Sequence, residues 1–438
     1  MDAGSHAPAL IQSEAPVPAR ATAARPVVVA LAKYPYPHRA MMTICSDLDE
    51  TPDRAVYLEI SRFLNTTGTT VMGPGVGLEI GNSIFFLMPN DQFSYFGTDE
   101  AGRDMVRTMI RSGHIDCLHS YGDYARTRQD VQRVLTELDK YRCQLSVWVD
   151  HSKSTTNFGP DIMVGSGDVP DSAAYHADLT LRHGIRYVWR GRTTSITGQD
   201  TPITVRSVAT IFRPHHPAAS ARTMTKEVAK LWLGGRAHPQ WEMHALNRVC
   251  RPGMLRNGQR VWEFMRSNPH WAGPGRGDTA DGIAYVLTAN MLDALVRSEG
   301  VCVLYTHLGK VRNPQCPFGE SAQAALRRLA GLREARTIFV TTTHRLLRYL
   351  TVRDCLRVSA HRHGARILVS IGQVDDPVLG AFMPSPDDLI GLTFVLDRCD
   401  AVTLSLANSQ IVSCDVVHDG DKTIAAVPWK PLVFPSFD

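Results

Sequence analysis

The chain has 438 residues, 44% of them hydrophobic and 21% charged, with 47 basic against 43 acidic side chains for a formal net charge of +4. That length exceeds one ordinary domain, and that composition supplies a sizeable core, which excludes a mostly disordered chain. So small a charge over so long a chain argues against nucleic acid as the main partner.

Residues 1–26 (MDAGSHAPALIQSEAPVPARATAARP) are rich in Ala and Pro and read as a disordered tail; they lack the basic start and apolar run of a signal peptide. No stretch approaches the ~20 apolar residues that cross a bilayer. A cytoplasmic protein with no integral membrane segment is expected. Nine scattered cysteines with no C-x-x-C pair speak against a thiolate zinc site and for a reducing compartment.

After the tail, short apolar runs alternate with helical patterns. Strands are predicted over Ala40–Ser46, His114–His119, Leu145–Val149, Arg186–Trp189, Cys302–His307 and Thr337–Thr341. Helices are predicted over Arg103–Arg111, Arg128–Tyr141, Met291–Val296 and Ala322–Leu332, where apolar residues recur at helical spacing. Such alternation implies a mostly parallel sheet with helices outside it, either a barrel or an open doubly wound sheet, over residues 27–358. From residue 359 to 438 the texture becomes short strand-like runs, such as Ile367–Ile371 and Val402–Leu406, which predicts a small β-rich accessory domain.

The predicted strands end in unusual polar groups. The first runs into Asp47 and Asp49, the second into His119 and Ser120, and the third into Asp150 and His151. The fourth runs into Arg190 and Arg192, and a late one ends on His307. In barrels of parallel strands, reactive groups collect at the strand C-termini because the following loops converge there. One site assembled from several strands is therefore expected.

Asp47 and Asp49 sit at i and i+2, so on a continuing strand they share a face. Close carboxylates repel unless a cation or a shared proton intervenes; a solvated acidic loop or a helix N-cap within Asp49-Glu50-Thr51-Pro52-Asp53 is the alternative. His119 and Asp123 are four apart, and a helical turn after the strand would make them a two-ligand arm for a borderline metal. Tyr121 lies between them. Trp148, Trp189, Trp241 and Trp271 are candidates for stacking on sugar rings, with core packing the commoner role for Trp. His215-His216 reads as a surface loop.

Gly113-His114, followed by His119-Ser120 and a ligand type at Asp123, resembles the second motif of the NodB-homology polysaccharide deacetylases, roughly G-H-E-I-G-x-H-[ST]-x-x-H. Thr43–Asp49 is similar to that family's first motif, T-F-D-D, and Leu304-Tyr305-Thr306-His307 to its last, a Leu-x-His strand end. The motifs come in the family's order and span about residues 40–355. The resemblance implies a distorted (β/α) barrel of seven or eight strands that removes an acyl group from an N-acetylated sugar or oligosaccharide, for example on the way to a surface polysaccharide such as O-antigen. It implies Asp47 as general base and His307 as general acid. It also implies Asp49, His119 and Asp123 as ligands to a divalent metal, zinc first, with Mn²⁺, Fe²⁺, Co²⁺ or Ni²⁺ as alternatives.

The sequence departs from the family pattern in three places. Leu48 separates the two acids, so the roles of Asp47 and Asp49 are open to exchange. Asp123 stands where a second His is usual. No R-x-P-x-G follows the third strand; Val147-Trp148-Val149-Asp150-His151-Ser152 stands there instead, which makes His151 an additional candidate for metal or substrate. Trp148, Asn157 and Arg190, with Tyr121, are candidates for substrate contact. Two other functions fit the same residues: a metal-dependent C–N hydrolase acting on a non-sugar amide, and a non-catalytic glycan-binding scaffold. A homo-oligomer is compatible with the sequence, which leaves the oligomeric state open.

Overall fold

The computed structural model describes residues 25–437. Most of the expected tail lies outside the described residues, but its last part does not: Arg25–Val27 is already a strand.

The centre of the fold is one large, mostly parallel sheet. Its hydrogen-bonded order is Thr193–Thr194, Arg266–Ser267, Val301–Thr306, Ala40–Ser46, Asn82–Ile84, Ile115–His119, Val147–Val149, Tyr187–Trp189, Arg260–Phe264 and Cys250–Met254; Ile338–Val340 also pairs with Ala40–Ser46. The last pairing, Arg260–Phe264 with Cys250–Met254, is antiparallel; the others are parallel. Every residue of Ala40–Ser46 is buried, as expected of a parallel strand covered on both faces, where a continuous apolar run replaces alternation. Its register with Val301–Thr306 runs from Met41 opposite Val301 to Ser46 opposite Thr306. That register brings the loop carrying Asp47 and Asp49 level with His307. The chain is thus mixed α/β, and the strand path has two ends, at Thr193–Thr194 and Cys250–Met254.

The helices form where apolar spacing and caps agree. In Arg128–Lys140, Val131, Val134, Leu135 and Leu138 are buried, and Thr127 with Asp130 closes a capping box. Helix Arg54–Asn65 buries Val56, Tyr57, Ile60, Phe63 and Leu64. Helices Glu100–Arg111 and Thr343–Cys355 pack on strands of the main sheet.

The C-terminal stretch enters two further sheets, and both recruit residues from the start of the described chain. Arg25–Val27 pairs with Leu356–His363, and Val29–Leu31 pairs with Thr393–Asp397. A continuous apolar cluster joins these sheets to the large one, with Trp189, Trp262 and Phe264 on one side and Val369, Phe394 and Leu404 on the other. Among the described residues, no helix is long and apolar enough to cross a membrane.

Candidate metal centre

The C-terminal ends of the central strands meet in a cleft of about 370 Å³ whose walls include Asp47, Asp49, His119, Asp150, His151, Arg266, Asp278 and His307. Three of the loops turn back immediately after delivering their site residue. Glu50 follows Asp49 at φ 57°, Ser120 and Tyr121 follow His119 at 46° and 62°, and Ser152 follows His151 at 43°. Non-glycine residues in the left-handed region cost about 1–3 kcal/mol each and persist where the surroundings over-determine them.

Asp49 lies at the centre. His151 Nε2 donates to its Oδ1 at 2.7 Å. Its Oδ2 faces His307 Nε2 at 3.2 Å and His119 Nδ1 at 4.0 Å. Burial alone would raise the Asp49 carboxyl, but the hydrogen bond from His151 and the facing imidazoles of His307 and His119 hold it well below the usual carboxylate range.

Each of two histidines has a second carboxylate behind it. His151 Nδ1 meets Asp123 Oδ1 at 2.9 Å, and His307 Nδ1 meets Asp278 Oδ2 at 3.1 Å. Burial opposes their charging, yet these contacts win: His151 is pushed up to about 10 by Asp123 and Asp49, and His307 to about 9 by Asp278 and Asp49. His119 is different. Burial lowers it to about 4 against the pull of Asp47 and Asp49, so at neutral pH it is a neutral imidazole with a lone pair to offer. Its ring stacks on Phe85 at 4.2 Å, and Ser83 Oγ lies 3.1 Å from its Nδ1.

Asp47 is fully enclosed. Arg266 Nη1 donates to both of its oxygens, at 3.0 and 2.8 Å, and Ser83 Oγ donates to Oδ1 at 2.9 Å. Burial pushes the Asp47 carboxyl up, and Arg266 brings it below its ordinary value. The Arg266 guanidinium lies 3.6 Å from the Trp189 ring centre and 4.5 Å from that of Tyr305, so the cation is held on aromatic faces as well as by its ion pair.

The donor set suits a divalent ion. Asp47, Asp49 and His307 each offer a ligand atom within 4.8 Å of the others. Among the described residues, Asp49 Oδ2 is buried with no well-formed hydrogen bond, and a bound cation would satisfy such an orphaned oxygen. Carboxylate and imidazole donors together match zinc and its borderline neighbours.

Of the residues expected from sequence, Asp47, Asp49, His119, His151 and His307 come together in this cleft. Asp123 does not face it beside His119. The expected helical turn is replaced by Ser120, Tyr121 and Gly122 at positive φ, which carries Asp123 to the far nitrogen of His151. The four residues expected at the substrate are instead supports. Tyr121 is fully buried and its hydroxyl pairs with Thr180 at 2.7 Å. Trp148 is buried in the core and donates to Asp150 at 2.7 Å. Asn157 braces the backbone of His151, accepting from its N–H at 2.9 Å. Arg190 is paired with Glu263 at 2.9 Å. Each side chain is enclosed because the loops after these strands fold back over it.

Ser83, Arg266, Asp278 and Lys310 were not singled out from the sequence. Ser83 and Arg266 lie in strands of three and two residues, too short for periodicity to register. Asp278 follows Gly275-Arg276-Gly277 in an irregular loop, where the glycines were the available signal of a functional turn. No family model, curated protein or solved structure matches the chain.

Proposed function

We propose that the protein is a metal-dependent hydrolase of the polysaccharide deacetylase type, with a distorted barrel, that removes the acyl group from an N-acetylated sugar. One observation carries this reading: a buried carboxylate with an unsatisfied oxygen, Asp49, is faced by histidines from three separate strand ends, at the bottom of an open polar cleft.

In this reading Asp49 holds the ion together with His119 and His151, which face its two oxygens. Asp47 and His307, whose ligand atoms lie within 4.8 Å of one another and of Asp49, are kept for proton transfer. Asp123 orients His151 from behind, as outer carboxylates do for ligating imidazoles. A divalent ion bound there supplies a Lewis acid and water that ionises near neutral pH. Asp47, kept charged by Arg266, is placed to take a proton at its Oδ2. His307 is charged at neutral pH and presents Nε2 to the cleft while Asp278 holds Nδ1; it is placed to give a proton to the departing amine. A general acid and a general base acting on the reacting amide are each worth about 10²–10⁴-fold. The polar cleft walls, with Asp150, Lys153 and Lys310, suit a hydroxyl-rich substrate better than an apolar amide.

The test separates ligands from acid. His119→Ala and His151→Ala are expected to lose the metal, measured by elemental analysis. His307→Ala is expected to keep it and to lose acetate release by at least 10²-fold. Loss of metal from His307→Ala would make that residue a ligand, and full activity in all three variants would end the hydrolase reading.

A further inference from the structure

A second, larger cavity of about 740 Å³ opens next to the metal cleft, walled by the segments around Trp271, Gly277–Gly282 and Arg312–Ser321. The two share their loops. Asp278 holds His307, while its neighbours Gly277 and Thr279 line the second cavity; Lys310 lines the cleft, and Arg312, two residues on, lines the cavity. The loop that holds Asp278 against His307 thus borders both spaces.

The cavity is built around aromatic rings that are already fixed in place. Trp271 stacks on His270 at 3.8 Å and on His216 at 4.6 Å. Tyr285 stands perpendicular to Trp271 at 5.6 Å and is 55% exposed, so it offers ring surface to the cavity. Arg276, Arg312, Asp281 and Glu320 surround the rings. Arg312 reaches Asp281 only at 3.8 Å, and among the described residues Arg276 makes no ion pair. Two guanidiniums and two carboxylates balance in charge, which disfavours a strongly ionic ligand. An apolar ring face beside planar hydrogen-bonding groups of both signs matches a pyranose, whose C–H face is apolar and whose rim carries hydroxyls.

We infer that this cavity is a second sugar subsite, built on Tyr285, and that the preferred substrate is an oligosaccharide running from the metal cleft across it. The inference rests on the hydrolase reading for the position of the reacting sugar. It adds the length of the substrate and the residues that read it.

The experiment uses the full chain with N-acetylglucosamine and its tetramer as probes, and compares wild type, Tyr285→Ala and Tyr285→Phe. Binding is followed by intrinsic fluorescence and calorimetry, and turnover by acetate release. The tetramer is expected to bind wild type and Tyr285→Phe about ten-fold tighter than Tyr285→Ala, with monomer turnover equal in all three. Equal tetramer affinity in Tyr285→Ala and wild type would overturn the subsite, as would a tetramer that binds no better than the monomer. Tyr285-dependent tetramer binding with no acetate release from either probe would keep the subsite and remove the hydrolase reading.

Discussion

Asp49 shows how much chemistry one residue concentrates here. Together with Asp123 and Asp278, its charge keeps His151 and His307 protonated, at about 10 and about 9, in the metal-free protein. Both values lie above the ordinary imidazole value, so the stabilisation from these contacts is full below about pH 6.5 and is lost as pH rises through 9 to 10. Chelator-treated protein is therefore expected to lose melting temperature between pH 6.5 and 10. Asp123→Asn should shrink that loss by releasing one of the two anions on His151, and an unchanged pH profile would remove Asp123 from this role. The same variant is expected to weaken metal affinity by about 10–100-fold, measured by competition with a chelator. The sequence marked His151 through its place at a strand end. It placed Asp123 wrongly because spacing alone does not reveal a left-handed turn at Ser120 and Tyr121.

At the scale of elements, strand ends were the legible part. Ala40–Ser46 has the bounds expected from its apolar run, and the strands before His119, His151 and His307 are shifted by only a residue or two. The strand Asn82–Ile84 escaped notice because two of its three residues are polar, yet it supplies Ser83 between Asp47 and His119. The acidic run after the first strand carries two kinds of role. Asp47 and Asp49 enter the cleft, whereas Asp53 caps helix Arg54–Asn65, accepting from Ala55 and Val56 N–H at 2.8 and 2.9 Å. Asp53→Ala is expected to cost about 1 kcal/mol in denaturant unfolding with the metal site intact. A loss of metal in that variant would mean that Asp53 does more than cap.

At the scale of the molecule, the β-rich C-terminal stretch is tied to the large sheet more closely than a change of sequence texture suggests. Trp262 in an outer strand of the large sheet donates to Asp376 at 3.1 Å, and Leu432 N–H donates to buried Glu79 at 2.9 Å. The strands Arg25–Val27 and Val29–Leu31 tie the start of the described chain to the same C-terminal sheets. Pairings so distant in sequence leave no local pattern to read. A chain ending at residue 358 would expose the apolar faces of Trp262, Phe264 and Tyr349 that now pack in one cluster with Val369 and Phe394. It is expected to be insoluble or to bind hydrophobic dye, while the full chain unfolds in one cooperative transition. Two well-separated transitions in calorimetry would instead make the C-terminal part an independent domain.

The central claim is that strand ends far apart in sequence build one metal-dependent hydrolytic site around Asp49. Its most direct test is acetate release from N-acetylglucosamine and its oligomers by protein purified without chelator, then stripped, then reloaded with zinc. One equivalent of metal per chain, activity lost on stripping and activity regained on reloading are expected. Protein that carries no stoichiometric metal, or that hydrolyses equally well after stripping, would contradict the account.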